Sequence, residues 1–241
     1  EDKLERDGGK KLYDDIEMPL VDTLYNMERR GVAVDGTELR RFGENLSSEI
    51  ARIEDDIYKE VGEKFNILSP KQLGEVLFEH LGIPPVKKTK RGYSTDADVL
   101  EKLSRKYSII RPILEYRKLT KLKSTYTDGL LRFISDTDGR IHTTFNQMAT
   151  ATGRISSTDP NLQNIPVRSE LGGEVRKMFG TKGKDYCFVD ADYSQIELRV
   201  LAHITGDKEM CRAFSEGADI HSRTASQVFG VSQNDVTPEM R

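Results

Sequence analysis

Only two cysteines occur in 241 residues, Cys187 and Cys211, and they form no CxxC pair. That scarcity argues against a disulfide framework and a structural zinc site, and it makes a reducing, cytoplasmic location the expectation. No apolar run approaches the roughly 20 residues that a membrane-spanning helix needs. The first residues, EDKLERDGGKK, lack the apolar centre of a signal peptide. Positive charge is not in excess either: 37 Lys and Arg face 40 Asp and Glu, a net charge of −3. Without a global positive field, any contact with nucleic acid must come from local basic patches. Repeats and low-complexity tracts are also missing. What is present, 32% charged and 36% hydrophobic residues, fits a folded chain of one or two domains and not a disordered one.

Helical periodicity dominates the first two-thirds. Leu12, Ile16, Leu20, Leu24 and Met27 recur every three or four residues, with Pro19 expected to kink or restart the helix and Gly31 to stop it. Leu39, Phe42, Leu46, Ile50, Ile53, Ile57 and Val61 place one apolar stripe on a long helix. The opposite face carries Glu49, Arg52, Glu54, Asp55, Asp56 and Lys59, most simply a solvated surface. The two amphipathic stretches are expected to pair as an antiparallel arm. Ser69-Pro70-Lys71-Gln72 has the layout of a capping box, opening a helix that runs to about His80 and ends at Gly82. PPVKKTKRGYST reads as an exposed basic loop, and Thr95 with Asp98 as a second capping box. A further helix carries Ile109, Ile113, Leu119 and Leu122 and ends in RKLTKLKSTY.

From about residue 130 the pattern changes. LLRFI, DTDG and RIHTTFNQM predict a strand, a turn and a strand. TGRISSTDPNLQNIPVRSELGG is polar, turn-rich and long for an idle loop. KDYCFVDAD predicts another strand, ending on Asp190 and Asp192, which share one strand face. Two helices are expected after it, from about Ser194 to Ile204 with Gly206 as the stop, and from the N-cap Asp219 to Phe229 with Gly230 as the stop. His80, His142 and His203 show no metal-ligand spacing and read as structural.

Three motifs, ATATGRISSTDPNLQNIPVR, DYSQIELRVLAHITGD and DIHSRTASQVFG, resemble in order and spacing the polymerase domain of family A DNA polymerases, the bacterial DNA polymerase I type. FNILSPKQL, STDADVL and KLTKLKSTY resemble the thumb of the same family. The resemblance implies an α+β chain: a helical thumb plus part of an antiparallel-sheet palm and the first finger helices of a right-hand polymerase fold. Residues 1–23 would be a lead-in segment packing on the palm, 24–128 the thumb, 129–199 the first part of the palm and 200–241 the first part of the fingers. The family's nucleotide-gripping finger helix begins at PEMR, where this sequence stops. The rest of that helix and a later palm motif with a second catalytic aspartate are not in it, and no proofreading exonuclease motif precedes the thumb.

The implied activity is DNA-directed addition of dNTPs to a primer 3′-hydroxyl, with two Mg²⁺ ions about 3.5–4 Å apart stabilising the attacking and leaving oxygens. The resemblance makes Asp192 the catalytic metal ligand, with the backbone carbonyl of Tyr193 beside it. It gives no role to Asp190, which reads as a solvated or salt-bridged strand residue, with an auxiliary metal role as the alternative. Ser194, Gln195, Ile196 and Glu197 would face the nucleotide, and Glu197 would occupy the place of a ribose 2′-hydroxyl. His221 would contact the triphosphate at a helix N-terminus, and Arg241 would be the first cation gripping its β- and γ-phosphates. The polar loop offers Arg154, Asn161, Gln163 and Asn164. By resemblance Arg154 and Gln163 reach the minor groove, whose acceptors vary little with sequence, and Asn164 and Arg168 support them. Ser156, Ser157, Thr158 and Asp159 are read as bonding within the loop.

Three thumb segments would hold the duplex backbone: Asn66, Ser69 and Lys71 at a helix start; Lys87, Lys88, Lys90, Arg91, Ser94 and Thr95 at a basic tip; and Lys121, Lys123, Ser124 and Thr125 at the end of the last thumb helix. Phosphate contacts of this kind position DNA without reading it. The implied partners are primer–template DNA, a dNTP and a C-terminal polymerase fragment or chain carrying the rest of the fingers and palm, with no membrane. The rival reading is a non-catalytic DNA-binding module that keeps the thumb grip without the metal pair. A single-subunit RNA polymerase is disfavoured by Glu197 and by DYSQIELR itself.

Overall fold

The computed structural model describes residues 2–241 except 90, 91, 168, 169, 182, 184 and 218, and for residues 88 and 89 it describes the backbone alone. The chain forms two compact units, Glu1–Tyr186 and Cys187–Arg241.

The first unit opens on α1 (Asp2–Arg6), α2 (Lys10–Leu12) and, after a wide turn at Tyr13–Glu17, α3 (Met18–Arg30). Pro19 lies in the first turn of α3, where its missing N–H leaves no bond unmade. Of the expected stripe only Leu24 is buried, while Leu12, Ile16 and Met27 stay about half exposed. The helix forms as the periodicity predicts, but its apolar face is not covered by the long helix that follows. Gly31 ends α3 at φ +59°, and a Cβ there would lie 2.8 Å from the His142 ring and from the Ile141 carbonyl oxygen. Gly31→Ala should therefore cost about 1–3 kcal/mol for the backbone conformation plus the clash, read as a lowered midpoint in thermal unfolding.

Asp35 caps α4 (Gly36–Val61) by accepting from Thr37 N at 3.0 Å and Glu38 N at 2.9 Å, and Gly62 closes it at φ +87°. Leu39, Leu46, Ile53, Ile57 and Val61 are buried along one face. The opposite face is solvated, with Arg52 paired to Glu49 and Asp56. The partner of α4 is α7 (Ile110–Leu122), not α3. Ile110, Ile113, Leu119 and Leu122 of α7 are buried in the same core, and the Tyr116 hydroxyl donates to Glu54 Oε1 across the pair at 2.8 Å. Burial and the Glu54 carboxylate push that phenol up to about 12.

Between them lie α5 (Pro70–Glu75) and α6 (Ala97–Ser104), whose Leu73, Leu100 and Leu103 complete the core. The capping box at Ser69 is half made. Ser69 Oγ accepts from Gln72 N at 3.4 Å, but the Gln72 side chain turns to Asn66 N at 2.7 Å. The helix continues through a wide turn, Val76–His80, before Gly82 at φ +64°. The supposed basic loop contains a hairpin of β2 (Lys88–Thr89) and β3 (Gly92–Tyr93). The N-cap position after it is Asp96, not Thr95. Ser94 and Thr95 are 3% exposed, with Ser94 Oγ donating to Asp96 Oδ2 at 2.7 Å.

Residues 130–134 do not form a strand. α7 passes through a wide turn at Lys123–Thr127 into α8 (Asp128–Leu131), and only Ile134 bridges to Ile141. A short apolar run is ambiguous by periodicity, and burial of Leu130 against the helical core decides it. Past the turn, β1 (Val32–Val34) is the centre of a three-stranded antiparallel sheet between β4 (Arg140–Ile141) and β7 (Phe179–Gly180), pairing Val32 with Ile141 and Ala33 with Gly180. A second pair joins β5 (Thr144–Asn146) to β6 (Ser156–Thr158), so part of the polar loop is a strand. Its tail contributes α9 (Glu170–Lys177). Helices with small antiparallel sheets make the α+β class expected.

Of the expected strand KDYCFVDAD, residues 185–192 are not a strand, and Phe188 and Val189, in the second unit, are 63% and 87% exposed. Among the described residues no segment pairs with it, and a strand exists only within a ladder. Among the described residues three α-helices follow, not two: α10 (Ile196–Thr205), α11 (Lys208–Ser215) and α12 (Ile220–Phe229). α10 and α12 stop at Gly206 and Gly230 in left-handed conformations, as expected. α11 starts where Asp207 accepts from Met210 N at 2.8 Å, and the Arg199 guanidinium lies 4.5 Å over its Phe214 ring.

Candidate nucleotide and nucleic-acid site

In the second unit, Asp190 and Asp192 lie on the exposed segment before α10. Ser194 and Gln195 make the turn into that helix, with Gln195 at φ +54°. The turn is held by Ile196 N donating to the Tyr193 carbonyl at 3.3 Å and Arg199 Nε donating to the Ser194 carbonyl at 2.9 Å. Glu197 sits exposed in the first turn of α10.

Asp219 gathers several of the nucleotide-facing candidates. Its carboxylate accepts from His221 N at 3.0 Å, Ser222 Oγ at 3.0 Å, Gln195 Nε2 at 3.5 Å and Arg241 Nε at 2.6 Å. The Arg241 guanidinium, aided by Ser222 and His221 N, holds that carboxyl far below the usual carboxylate range. From the sequence Asp219 is only an N-cap, and its link to Gln195 and Arg241 carries no local signature. Arg241 is thus already paired, not free at the end of the chain.

Mg²⁺ is a hard cation that takes six oxygens in near-octahedral geometry. Asp192 and the Tyr193 carbonyl are oxygen donors of the right chemistry, but they are too few. Among the described residues no group of three His, Cys, Asp or Glu side chains could hold a metal ion. These residues therefore fit as one side of a Mg²⁺ site and not as a whole one.

In the first unit the polar loop bonds extensively to itself. Ser157 Oγ is buried with Thr143 Oγ1 at 2.7 Å and accepts from Leu162 N at 3.1 Å. Asn161 Oδ1 accepts from Gln163 N at 3.0 Å, and Gln163 Nε2 donates to the Ile155 carbonyl at 2.9 Å. The Asn164 carbonyl accepts from the Tyr126 hydroxyl. Arg154 is exposed at the loop surface, and Arg168 lies outside the described residues.

The thumb candidates divide by exposure. Asn66 Oδ1 accepts from Leu68 N at 3.0 Å, which shapes the turn before α5. The Lys71 side chain is 81% exposed, with only a 3.8 Å approach to Glu75. Lys87 and Lys121 are exposed, as are Ser124 and Thr125. Lys123 is half-buried and donates to Asp128 at 2.6 Å. Ser94 and Thr95 belong to the interior. Lys90 and Arg91 lie outside the described residues, as does the side chain of Lys88. Sequence reasoning passed over Arg117, which bonds to two of these segments from α7. A mid-helix arginine ordinarily reads as a solvated cation.

The fold is that of part of a right-hand polymerase. The POL domain of Pol1 from M. smegmatis, solved in complex with DNA primer-template and dNTP, aligns with a TM-score of 0.91 at 43% identity, covering 99% of this chain and 42% of that one. Residues 36–241 match DNA polymerase family A, and the chain belongs to that family. It is 53% identical over 230 residues to DNA polymerase I of Caldicellulosiruptor bescii, covering 95% of this chain and 27% of that protein. It is 52% identical over 239 residues to DNA polymerase I of Bacillus subtilis, covering 99% and 27%. The chain spans about a quarter of the length of these curated relatives.

Proposed function

We propose that the chain supplies the thumb (24–128), the first part of the palm (129–199) and the first part of the fingers (200–241) of a DNA-directed DNA polymerase, with residues 1–23 as a lead-in segment on the palm. It acts in the cytoplasm on primer–template DNA and dNTPs, and another segment or chain supplies the remaining fingers and palm. The observation that carries this reading is the likeness of nearly the whole chain to a polymerase domain held with primer-template and dNTP.

Within that reading Asp192 and the Tyr193 carbonyl are the oxygens this chain contributes to Mg²⁺. Bound there, the metal supplies positive charge to the oxygens of phosphoryl transfer. The chain's own residues bind and orient. His221, at the start of the ten-residue α12, meets the triphosphate where the helix N-terminus favours an anion. Arg241 is shared between Asp219 and the phosphates. Arg154 and Gln163 test pair geometry in the minor groove, with Asn164 and Arg168 behind them. Glu197, with Ser194, Gln195 and Ile196 beside it, crowds the sugar 2′ position. Glu197→Ala should admit ribonucleotides and somewhat lower dNTP incorporation. Competition between rNTP and dNTP in primer extension measures this, and unchanged discrimination would remove the steric-gate role.

The thumb holds the duplex by charge, and each phosphate no longer neutralised should reduce the log–log salt slope by about one unit. Neutralising Lys87, Lys88, Lys90 and Arg91 together should weaken binding alike on unrelated duplex sequences and flatten that slope. A slope identical to that of the unaltered protein would mark the hairpin as solvated surface. One observation favours the rival reading of a non-catalytic DNA-binding module: among the described residues no group of three acidic, histidine or cysteine side chains could hold a metal ion. Templated incorporation by the assembled polymerase separates the two.

A further inference from the structure

Arg117 projects from the middle of α7 and spends its donors inside the protein. Nε donates to the Ile67 carbonyl at 3.2 Å and Nη1 to the Thr95 carbonyl at 2.7 Å. Nη2 is buried without a hydrogen-bond partner among the described residues. Ile67 lies in the turn that opens α5, between Asn66 and Ser69. Thr95 lies between the β2–β3 hairpin and the N-cap of α6. The two segments, some 28 residues apart in sequence, line one recess of about 450 Å³ that includes Ser69, Lys71, Ser94 and Asp96. A planar guanidinium holds two acceptors at a set separation, as an ammonium cannot. Burial pushes its pKa down and the nearby Asp96 carboxylate opposes that. A charge placed in the interior is tolerated only when hydrogen-bonded, which these carbonyls provide on two of three nitrogens.

We propose that Arg117 is a positioning residue for the thumb: it fixes the α5 turn and the segment after the hairpin at the spacing that presents Lys71 to a backbone phosphate, and it does not itself contact the phosphate. The proposal rests on the thumb grip described above. Nε and Nη1 are bound to carbonyls and Nη2 is buried, so its influence on DNA passes through the loops.

The test compares Arg117→Met, Arg117→Lys and Lys71→Ala in the assembled polymerase. Primer–template affinity is followed across a salt titration, and amide hydrogen exchange at Leu68, Gln72 and Asp96, whose N–H groups bond to Asn66 Oδ1, Ser69 Oγ and Ser94 Oγ. Arg117→Met should speed exchange at these amides and weaken binding on the order of tenfold, as expected when hydrogen bonds to a charged group are removed. Arg117→Lys, able to serve one carbonyl, should restore part of both. The double variant with Lys71→Ala should bind little worse than Arg117→Met alone, because the first change already removes what the second would. Additive losses would show that Arg117 meets phosphate directly and would overturn the proposal. So would a lowered melting temperature with binding and exchange at these amides unchanged. If Lys71→Ala leaves affinity unchanged, the thumb grip itself falls and the proposal with it. If Lys71→Ala weakens binding and Arg117→Met does not, only the positioning role falls. Should Arg117→Met fail to fold, Arg117→Lys carries the same comparisons.

Discussion

Asp192→Ala in the assembled polymerase should cut turnover by about 10³-fold or more while primer–template affinity changes little. The carboxylate stands on an exposed segment just before the turn into α10, and that turn is held by the Tyr193 and Ser194 carbonyls, not by Asp192. Its removal leaves the core of either unit untouched. Metal-centred charge stabilisation of a transferring phosphoryl group amounts to several kcal/mol, and each 1.4 kcal/mol or so is a factor of ten in rate. Single-turnover primer extension beside an equilibrium binding titration measures both quantities. Asp190→Ala is the control. Asp190 shares the exposed segment but has no role in the family pattern, so its replacement should be mild. A lethal Asp190→Ala with a benign Asp192→Ala would reverse the assignment of the metal ligand.

How far the sequence was legible varied with the range of the forces involved. The α4 stripe runs for 26 residues at helical period with a sound N-cap, and local chemistry alone predicts it. The stops at Gly31, Gly206 and Gly230 are equally local. LLRFI and KDYCFVDAD misled because a run of five to nine residues takes its structure from its neighbours. Leu130 found a helical core, and Phe188 found no ladder among the described residues. The β2–β3 hairpin was hidden by its cations, which suggested a loop. α11 was missed because eight residues with one fully buried side chain, Ala213, carry little periodicity.

The candidate site followed the same division. Asp192, Glu197, His221 and the polar loop were named through motifs whose residue order is itself the signal. Burial of Ser94 and Thr95, the Lys123–Asp128 pair and the gathering of Gln195, His221 N and Arg241 on Asp219 are products of packing between segments. Arg117 is the extreme case: nothing around it in sequence indicates carbonyls 50 and 22 residues away.

The second large effect concerns what residues 1–241 do by themselves. Phosphoryl transfer needs ligands on both sides of the bridging phosphate, and the described residues place no further pair of acidic, histidine or cysteine ligands with Asp192. Phe188, Val189 and Tyr193 are also largely exposed, on a segment without a pairing strand among the described residues. An open apolar edge of that kind invites association. The isolated chain should therefore bind primer–template weakly, aggregate readily and incorporate nothing, and a C-terminal polymerase segment should restore solubility and synthesis together. The direct measurement is Mg²⁺-dependent extension of a labelled primer on a defined template, by residues 1–241 alone and after addition of that segment. The account predicts no added nucleotide in the first reaction and template-directed dNTP addition in the second. Robust extension by residues 1–241 alone, free of contaminating polymerase, would contradict it.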